Sequence, residues 1–271
     1  MTEPHPVRVI GLLCPTSDRR AFAGEDTEAL AQALADASGG GAPRIIGSPA
    51  DARAGTYEED LRERRGCILE AGGQVEDALN DGELPVLVAA TCTVCTTTIP
   101  SVLRAHPAAV VLWLDAHGDF NTPDTTPSRF LGGMCLSAAC GVWDDGLGVE
   151  PKLEPSAIVF YGVRDLDGGE RSLLDGFGVS VLRHPSQVLD AIRGREVFVH
   201  LDLDVLDPSL HAAEFPAPGG VTDGELRQLL RDVVREGTLV GAEVTAFASS
   251  DSLELVAAAA APLVQHPRTD S

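Results

Sequence analysis

The sequence has little positive charge. Of its 271 residues only 20 are Lys or Arg, and Lys152 is the sole lysine. A nucleic-acid footprint needs a basic face, so nucleic-acid partners are not expected. The chain also lacks any apolar run of the ~18 residues a membrane span requires, so no membrane partner is expected. The opening stretch MTEPHPVRVIGLLCP has no basic n-region and no cleavage site. VRVIGLLC reads instead as a first strand, and a cytoplasmic location is expected. Repeats, low-complexity linkers and domain boundaries are missing too, so residues 1–271 read as one domain.

What is present is acid and small apolar residues. The formal net charge is −21 and 44% of residues are hydrophobic. Acidity of this size mostly reports solubility, but it leaves carboxylates available for metal. A chain this long removes roughly three quarters of its unfolded surface from water. The six cysteines are Cys14, Cys67, Cys92, Cys95, Cys135 and Cys140. In a long chain without a secretory signal they are expected to be reduced thiols, mostly small apolar fillers.

Short apolar runs alternate with helical patterns. Strands are expected at 7–13, 43–48, 85–90, 109–115, 157–163, 178–183, 196–204 and 240–247. Helices are expected over 26–37 and 58–80, after the capping box Thr222-x-x-Glu225, and over about 252–265. Continuous apolar runs suit strands buried on both faces. Repeated β-α alternation predicts a mainly parallel sheet with helices on both faces. Ligands of such sheets bind beyond the carboxyl ends of the strands.

Two acidic clusters sit at such ends. LWLDAHGDFNTP places Asp115, His117 and Asp119 after one run, and VFVHLDLDVLDP places Asp202 and Asp204 after another. Strand periodicity would point Asp115 with His117, and Asp202 with Asp204. Four converging aspartates without a cation would be costly, and neither stretch holds Lys or Arg. Two divalent ions sharing carboxylates satisfy them, and oxygen donors with one nitrogen suit Mn²⁺ or a similar ion. A third stretch, LVAATCTVCTTT, spaces Cys92 and Cys95 as C-x-x-C. Alone, that spacing allows a redox pair, half a zinc site or fillers. A zinc knuckle needs a second such pair, and none exists.

DAHGD and DLDVLDP resemble the two metal-binding motifs of the arginase/agmatinase superfamily of ureohydrolases. The resemblance spans roughly residues 80–250. It implies a three-layer αβα sandwich and two manganese ions holding a hydroxide that attacks a guanidinium carbon. The implied ligands are Asp115, His117, Asp119, Asp202 and Asp204, with Asp119 also orienting the nucleophile. The family's remaining ligand is a histidine ending an earlier strand, and Cys92 stands at that position. A thiolate ligand would shift preference toward softer ions such as Zn²⁺, Fe²⁺ or Co²⁺.

The same resemblance assigns the substrate side. Asn121 and Ser128 fall where arginases hold an α-carboxylate, and Asp167 and Glu170 match the segment that binds the α-amino group. Glu243, in GAEVTAF, resembles the glutamate that pairs with the guanidinium. The small-molecule partner implied is thus an arginine-like amino acid, while oligomeric state stays open. Gly132 stands where arginases carry a histidine regarded as a proton shuttle. His200 shares a strand face with Asp202 and Asp204, as a ligand-supporting residue or a satisfied interior histidine. The departures at Cys92 and Gly132, with HGDFNTP and FLGGM, resemble the antibiotic-biosynthetic members that cleave Nω-hydroxy-arginine to ornithine and hydroxyurea. Ordinary arginase chemistry and a metal-impaired, non-catalytic homologue are the alternatives.

Overall fold

A computed structural model describes residues 6–20, 23–51 and 53–265. Among these residues, eight parallel strands form one sheet: β1 (Val7–Leu12), β2 (Arg44–Ile46), β3 (Leu84–Val88), β4 (Val110–Leu114), β5 (Ile158–Tyr161), β6 (Val181–Leu182), β7 (Glu196–Asp202) and β8 (Thr238–Thr245). Their order across the sheet is β2-β1-β3-β8-β7-β4-β5-β6. All eight lie where the apolar runs placed them.

Among the described residues the α-helices are α1 (Ala23–Ser38), α2 (Tyr57–Glu63), α3 (Arg65–Asn80), α4 (Cys95–Ala105), α5 (Cys135–Ala139), α6 (Gly168–Gly176), α7 (Pro185–Ile192), α8 (Asp223–Glu236) and α9 (Leu253–Ala260). Alternate strand residues feed two cores. Val110, Leu112 and Leu114 of β4 pack with Leu30 of α1, Leu229 of α8 and Val256 of α9. Val111 and Trp113 of the same strand pack with Val75 of α3, Ile99 of α4 and Leu136 of α5. Both faces of β4 are buried, which is why it reads as an unbroken apolar run. The expected three-layer αβα sandwich is present.

The helix expected over 58–80 is two helices, because Arg64 leaves helical geometry at φ −109°, ψ 8°. The glycines beyond it weaken helix propensity, and one of them, Gly72, serves contact. A Cβ at Gly72 would lie 2.7 Å from the Thr97 carbonyl oxygen, so α3 approaches α4 only with glycine there. The last helix ends as α9 and tightens into a 3-10 turn at Ala261–Leu263, where Pro262 cannot continue an α-helix.

The expectation of six reduced thiols is corrected. Cys14, just past β1, is disulfide-bonded to Cys67 in α3 with Cα atoms 6.1 Å apart, within normal bridging range. The other four cysteines are free. A bridge across 53 residues restricts the unfolded chain, typically by 2–4 kcal/mol. Thiol reductant, or Cys67→Ser, should therefore lower the melting temperature by several degrees, read by calorimetry with and without dithiothreitol.

Asp60 of α2 is 1% exposed, and neither carboxylate oxygen has a hydrogen-bond partner among the described residues. Burial pushes its pKa up to about 6, against the opposing pull of Arg64, Arg19 and Arg53. The native state thus holds a proton that the unfolded chain has lost. Its stabilising contribution is complete below the ordinary carboxylate range and disappears as pH rises through about 6. Asp60→Asn should flatten that decline and melt higher at neutral pH, checked by melting both proteins from pH 4 to 8.

Candidate metal and substrate site

The four central strands β3, β8, β7 and β4 end side by side, and the acidic clusters lie at their carboxyl edge. β4 stops at Leu114 and β7 at Asp202, so strand periodicity does not align the aspartates. Backbone hydrogen bonds beyond the strands do. The Asp204 amide donates to Asp202 Oδ1 at 2.7 Å, the His117 amide to Asp115 Oδ1 at 2.7 Å, and the Ala116 amide to Asp204 Oδ1 at 2.9 Å. The last bond ties one cluster to the other. Asp119 is turned into the cleft by a left-handed backbone, φ 50°.

Cys92 starts a 3-10 turn after β3 and joins the cluster. Its Sγ donates to Asp202 Oδ2 at 2.8 Å and lies 3.2 Å from Thr245 Oγ1. Cys95 opens α4, is fully buried in the core, and does not line the cleft. The C-x-x-C spacing therefore carries no shared site.

The cluster's electrostatics are severe. Burial, then the surrounding carboxylates, pushes Asp115 and Asp202 well above the carboxylate range. Burial also lifts Asp119 to about 8. His117 Nδ1 lies 2.9 Å from Asp204 Oδ2. Burial disfavours its charge, but Asp115 and Asp204 outweigh that and push it up to about 12. Burial and Asp202 raise the Cys92 thiol well above its normal value.

Metal fits this donor set. Asp115 Oδ2 and His200 Nε2 are buried without hydrogen-bond partners among the described residues. They face each other at 3.9 Å. Cys92, Asp115 and His200 form one group of potential ligands, and Asp115, His117 and Asp204 form another, each within 4.8 Å. The two groups share Asp115, as a pair of ions sharing a carboxylate would require. His200 also has the partner expected of a ligating histidine, since its Nδ1 lies 2.6 Å from Glu243 Oε1. The ring stacks on Trp113 with centroids 3.5 Å apart.

Glu243 is the main correction to the sequence reading. It was expected to hold the guanidinium, yet it lies beneath the cleft at 0% exposure and does not line it. Both carboxylate oxygens are engaged, one by His200 and one by the Thr98 hydroxyl at 2.6 Å. The wall beyond β8 is Ala246, Phe247 and Ala248, with Ala246 in a left-handed conformation at φ 60°.

Asn121, Ser128, Asp167 and Glu170 all line the same cleft as Cys92 and the aspartates. Asn121 Nδ2 donates to Asp167 Oδ2 at 3.1 Å. Glu170 is 3% exposed and accepts from the Phe120 amide at 2.7 Å and the Asp167 amide at 3.2 Å. It shapes the wall from α6, and its burial lifts its pKa to about 7. Arg19, Arg20, Phe130, Glu214 and Phe215 also line the cleft. Nothing in their local sequence marks them, because they come from loops distant from either motif.

The profile of the Arginase family matches residues 52–266. The chain belongs to the arginase family. It is 37% identical over 245 residues to an N(omega)-hydroxy-L-arginine amidinohydrolase of Streptomyces lavendulae, covering 88% of each chain. It is 30% identical over 184 residues to an arginase of Bacillus caldovelox, covering 61% of each. Among solved structures, Bacillus subtilis arginase superposes with TM-score 0.82 at 22% identity, over 96% of this chain and 98% of that one. The shared fold is thus an arginase-like sandwich, and this member of the arginase family is a hydrolase acting on guanidino groups. Enzymes of the arginase family depend on a binuclear metal centre, usually manganese. Among the described residues, no helix is long and apolar enough to cross a membrane.

Proposed function

We propose that this arginase-family protein cleaves Nω-hydroxy-L-arginine to L-ornithine and hydroxyurea. The observation that carries the choice of substrate is the cleft wall Ala246–Ala248, which offers no carboxylate to a guanidinium. N-hydroxylation makes a guanidine less basic, so its neutral, electrophilic form is reached near neutral pH. Such a substrate needs neither a pairing glutamate nor a proton-shuttling side chain at Gly132. The likeness to a hydroxyarginine amidinohydrolase points the same way.

Cys92, Asp115, His117, Asp119, Asp202 and Asp204 would hold two ions, Mn²⁺ or a softer divalent metal. Such a pair supplies counter-charge and lowers the pKa of water. Asp119 would orient the attacking water. Asn121 and Asp167, already joined to each other, would fix the amino-acid end, with Ser128 across the same cleft and Glu170 holding the Asp167 backbone. His200, its ring set by Glu243, would face Asp115 from below as a further potential donor. Proximity and orientation of this kind supply much of the rate.

The test feeds manganese-loaded protein L-arginine and Nω-hydroxy-L-arginine in parallel and measures urea, hydroxyurea and ornithine. A preference of about 10-fold or more in kcat/KM for the hydroxylated substrate is expected, since one well-placed polar contact is worth about that much. Equal or better use of arginine defeats the reading. Metal analysis of Cys92→Ser belongs beside it, because unchanged metal and activity would show that Cys92 is no ligand.

A further inference from the structure

Most of the charged side chains that line the cleft are acidic, yet the proposed substrate carries a carboxylate. Its charged lining runs through Asp115, Asp119, Asp165, Asp167, Glu170 and Glu214. Among the described residues, the basic side chains in the wall are Arg19, Arg20 and His117. His117 is held by Asp204 within the metal cluster. Arg20 is committed elsewhere, since its Nη1 pairs with Asp26 at 2.6 Å and its Nη2 donates to the Phe247 carbonyl at 2.9 Å.

Arg19 is placed differently. Its guanidinium lies over the Phe130 ring, 4.4 Å from the centroid. Its Nη2 donates to the Gly55 carbonyl at 3.0 Å. Its Nε is buried without a partner among the described residues. No carboxylate of the described residues forms an ion pair with it, although Asp60 and Glu214 are near enough to feel its charge. Phe130 in turn rests on Phe215 at 5.2 Å, and its amide donates to Ser128 Oγ at 3.2 Å. Arg19 and Ser128 are therefore held by one short loop.

Gly132 explains how the ring comes to be there. A Cβ at 132 would lie 2.5 Å from Phe130 Cε1 and 2.7 Å from Cζ. The space next to Gly132 is filled by the aromatic platform that supports the arginine. The bare backbone at Gly132 thus leaves room for the ring on which the Arg19 guanidinium lies. A planar guanidinium stacked on an aromatic face keeps its edge donors free for a carboxylate.

We propose that Arg19, seated on Phe130, receives the substrate's α-carboxylate and separates the amino acid from its decarboxylated amine. The assignment rests on the amino-acid reading above and names the group that enforces it. It can be read without turnover, from calorimetric binding of L-ornithine and of putrescine to the manganese-loaded protein. Putrescine is ornithine without the carboxylate.

Arg19→Met keeps the apolar stem and removes the charge. It should weaken ornithine about 10- to 100-fold, the range for a lost charge-assisted hydrogen bond, and leave putrescine within about 2-fold. Gly132→Ala displaces the Phe130 ring and should weaken ornithine in the same direction with metal content unchanged. Should Arg19→Met fail to fold, Arg19→Lys keeps the charge without the stack, and a selective loss for ornithine is again expected. Equal weakening of both ligands, or no change in either, overturns the proposal. A wild type that prefers ornithine over putrescine yet releases no hydroxyurea fails the hydroxyarginine reading alone and leaves the role of Arg19 standing.

Discussion

Asp115→Asn should have opposite effects on the metal-free and the metal-loaded protein. Asp115 belongs to both groups of potential ligands and sits among Asp119, Asp202 and Asp204 at 1% exposure. Without a cation, its carboxyl is desolvated and surrounded by like charge. Asparagine removes that penalty while its side-chain oxygen can still accept from the His117 amide. A relief on the order of 1 kcal/mol raises the melting temperature of the metal-free protein by ~2–4 °C. The loaded protein should show the reverse. Losing a shared ligand costs more than the ~100-fold seen for residues that merely support ligands, so activity and bound metal should both collapse. Calorimetry after chelation and after reloading, with metal analysis, reads both halves. An Asn variant that keeps two ions and full turnover would remove Asp115 from the site.

Glu243→Ala is expected to act through stability. Its carboxylate joins His200 and Thr98 at 0% exposure. Removing one member of a buried, bonded pair typically costs 3–5 kcal/mol, and the abandoned imidazole also loses the partner that orients it. Glu243→Gln keeps the volume and one acceptor, so a smaller loss is expected. Denaturant melts of the three proteins give the values. If Glu243 gripped the substrate instead, the alanine variant would keep its stability and raise KM, which is the result that would restore the expectation drawn from sequence.

These two residues show what the sequence reveals and what it hides. The proposed ligands Asp115, His117, Asp119 and Asp204 stand out in the sequence because they lie just beyond buried strands, and Asp202 because it ends one, where ligand sites of parallel sheets lie. The eight strands were legible because their apolar runs are continuous. Glu243 misled because a motif fixes a position along a strand but not which neighbours already occupy its oxygens. α4 was missed because Thr96, Thr97, Thr98 and Pro100 are poor helix formers, and burial against α3 overrides their preference. Arg19 and Phe130 were silent because their meeting depends on a loop reaching across the cleft, which no local spacing encodes.

The strand order has a consequence for synthesis on the ribosome. β8 is the last strand in the chain, yet it lies between β3 and β7. It is the seam between an early half of the sheet, β1 to β3, and a later half, β4 to β7. Cys92 sits on one side of that seam, and Asp115 and Asp202 on the other. A nascent chain halted before Thr238 already possesses every proposed metal ligand but no means of gathering them. Such distant pairings form slowly, so the acquisition of metal should report the last long-range step of folding.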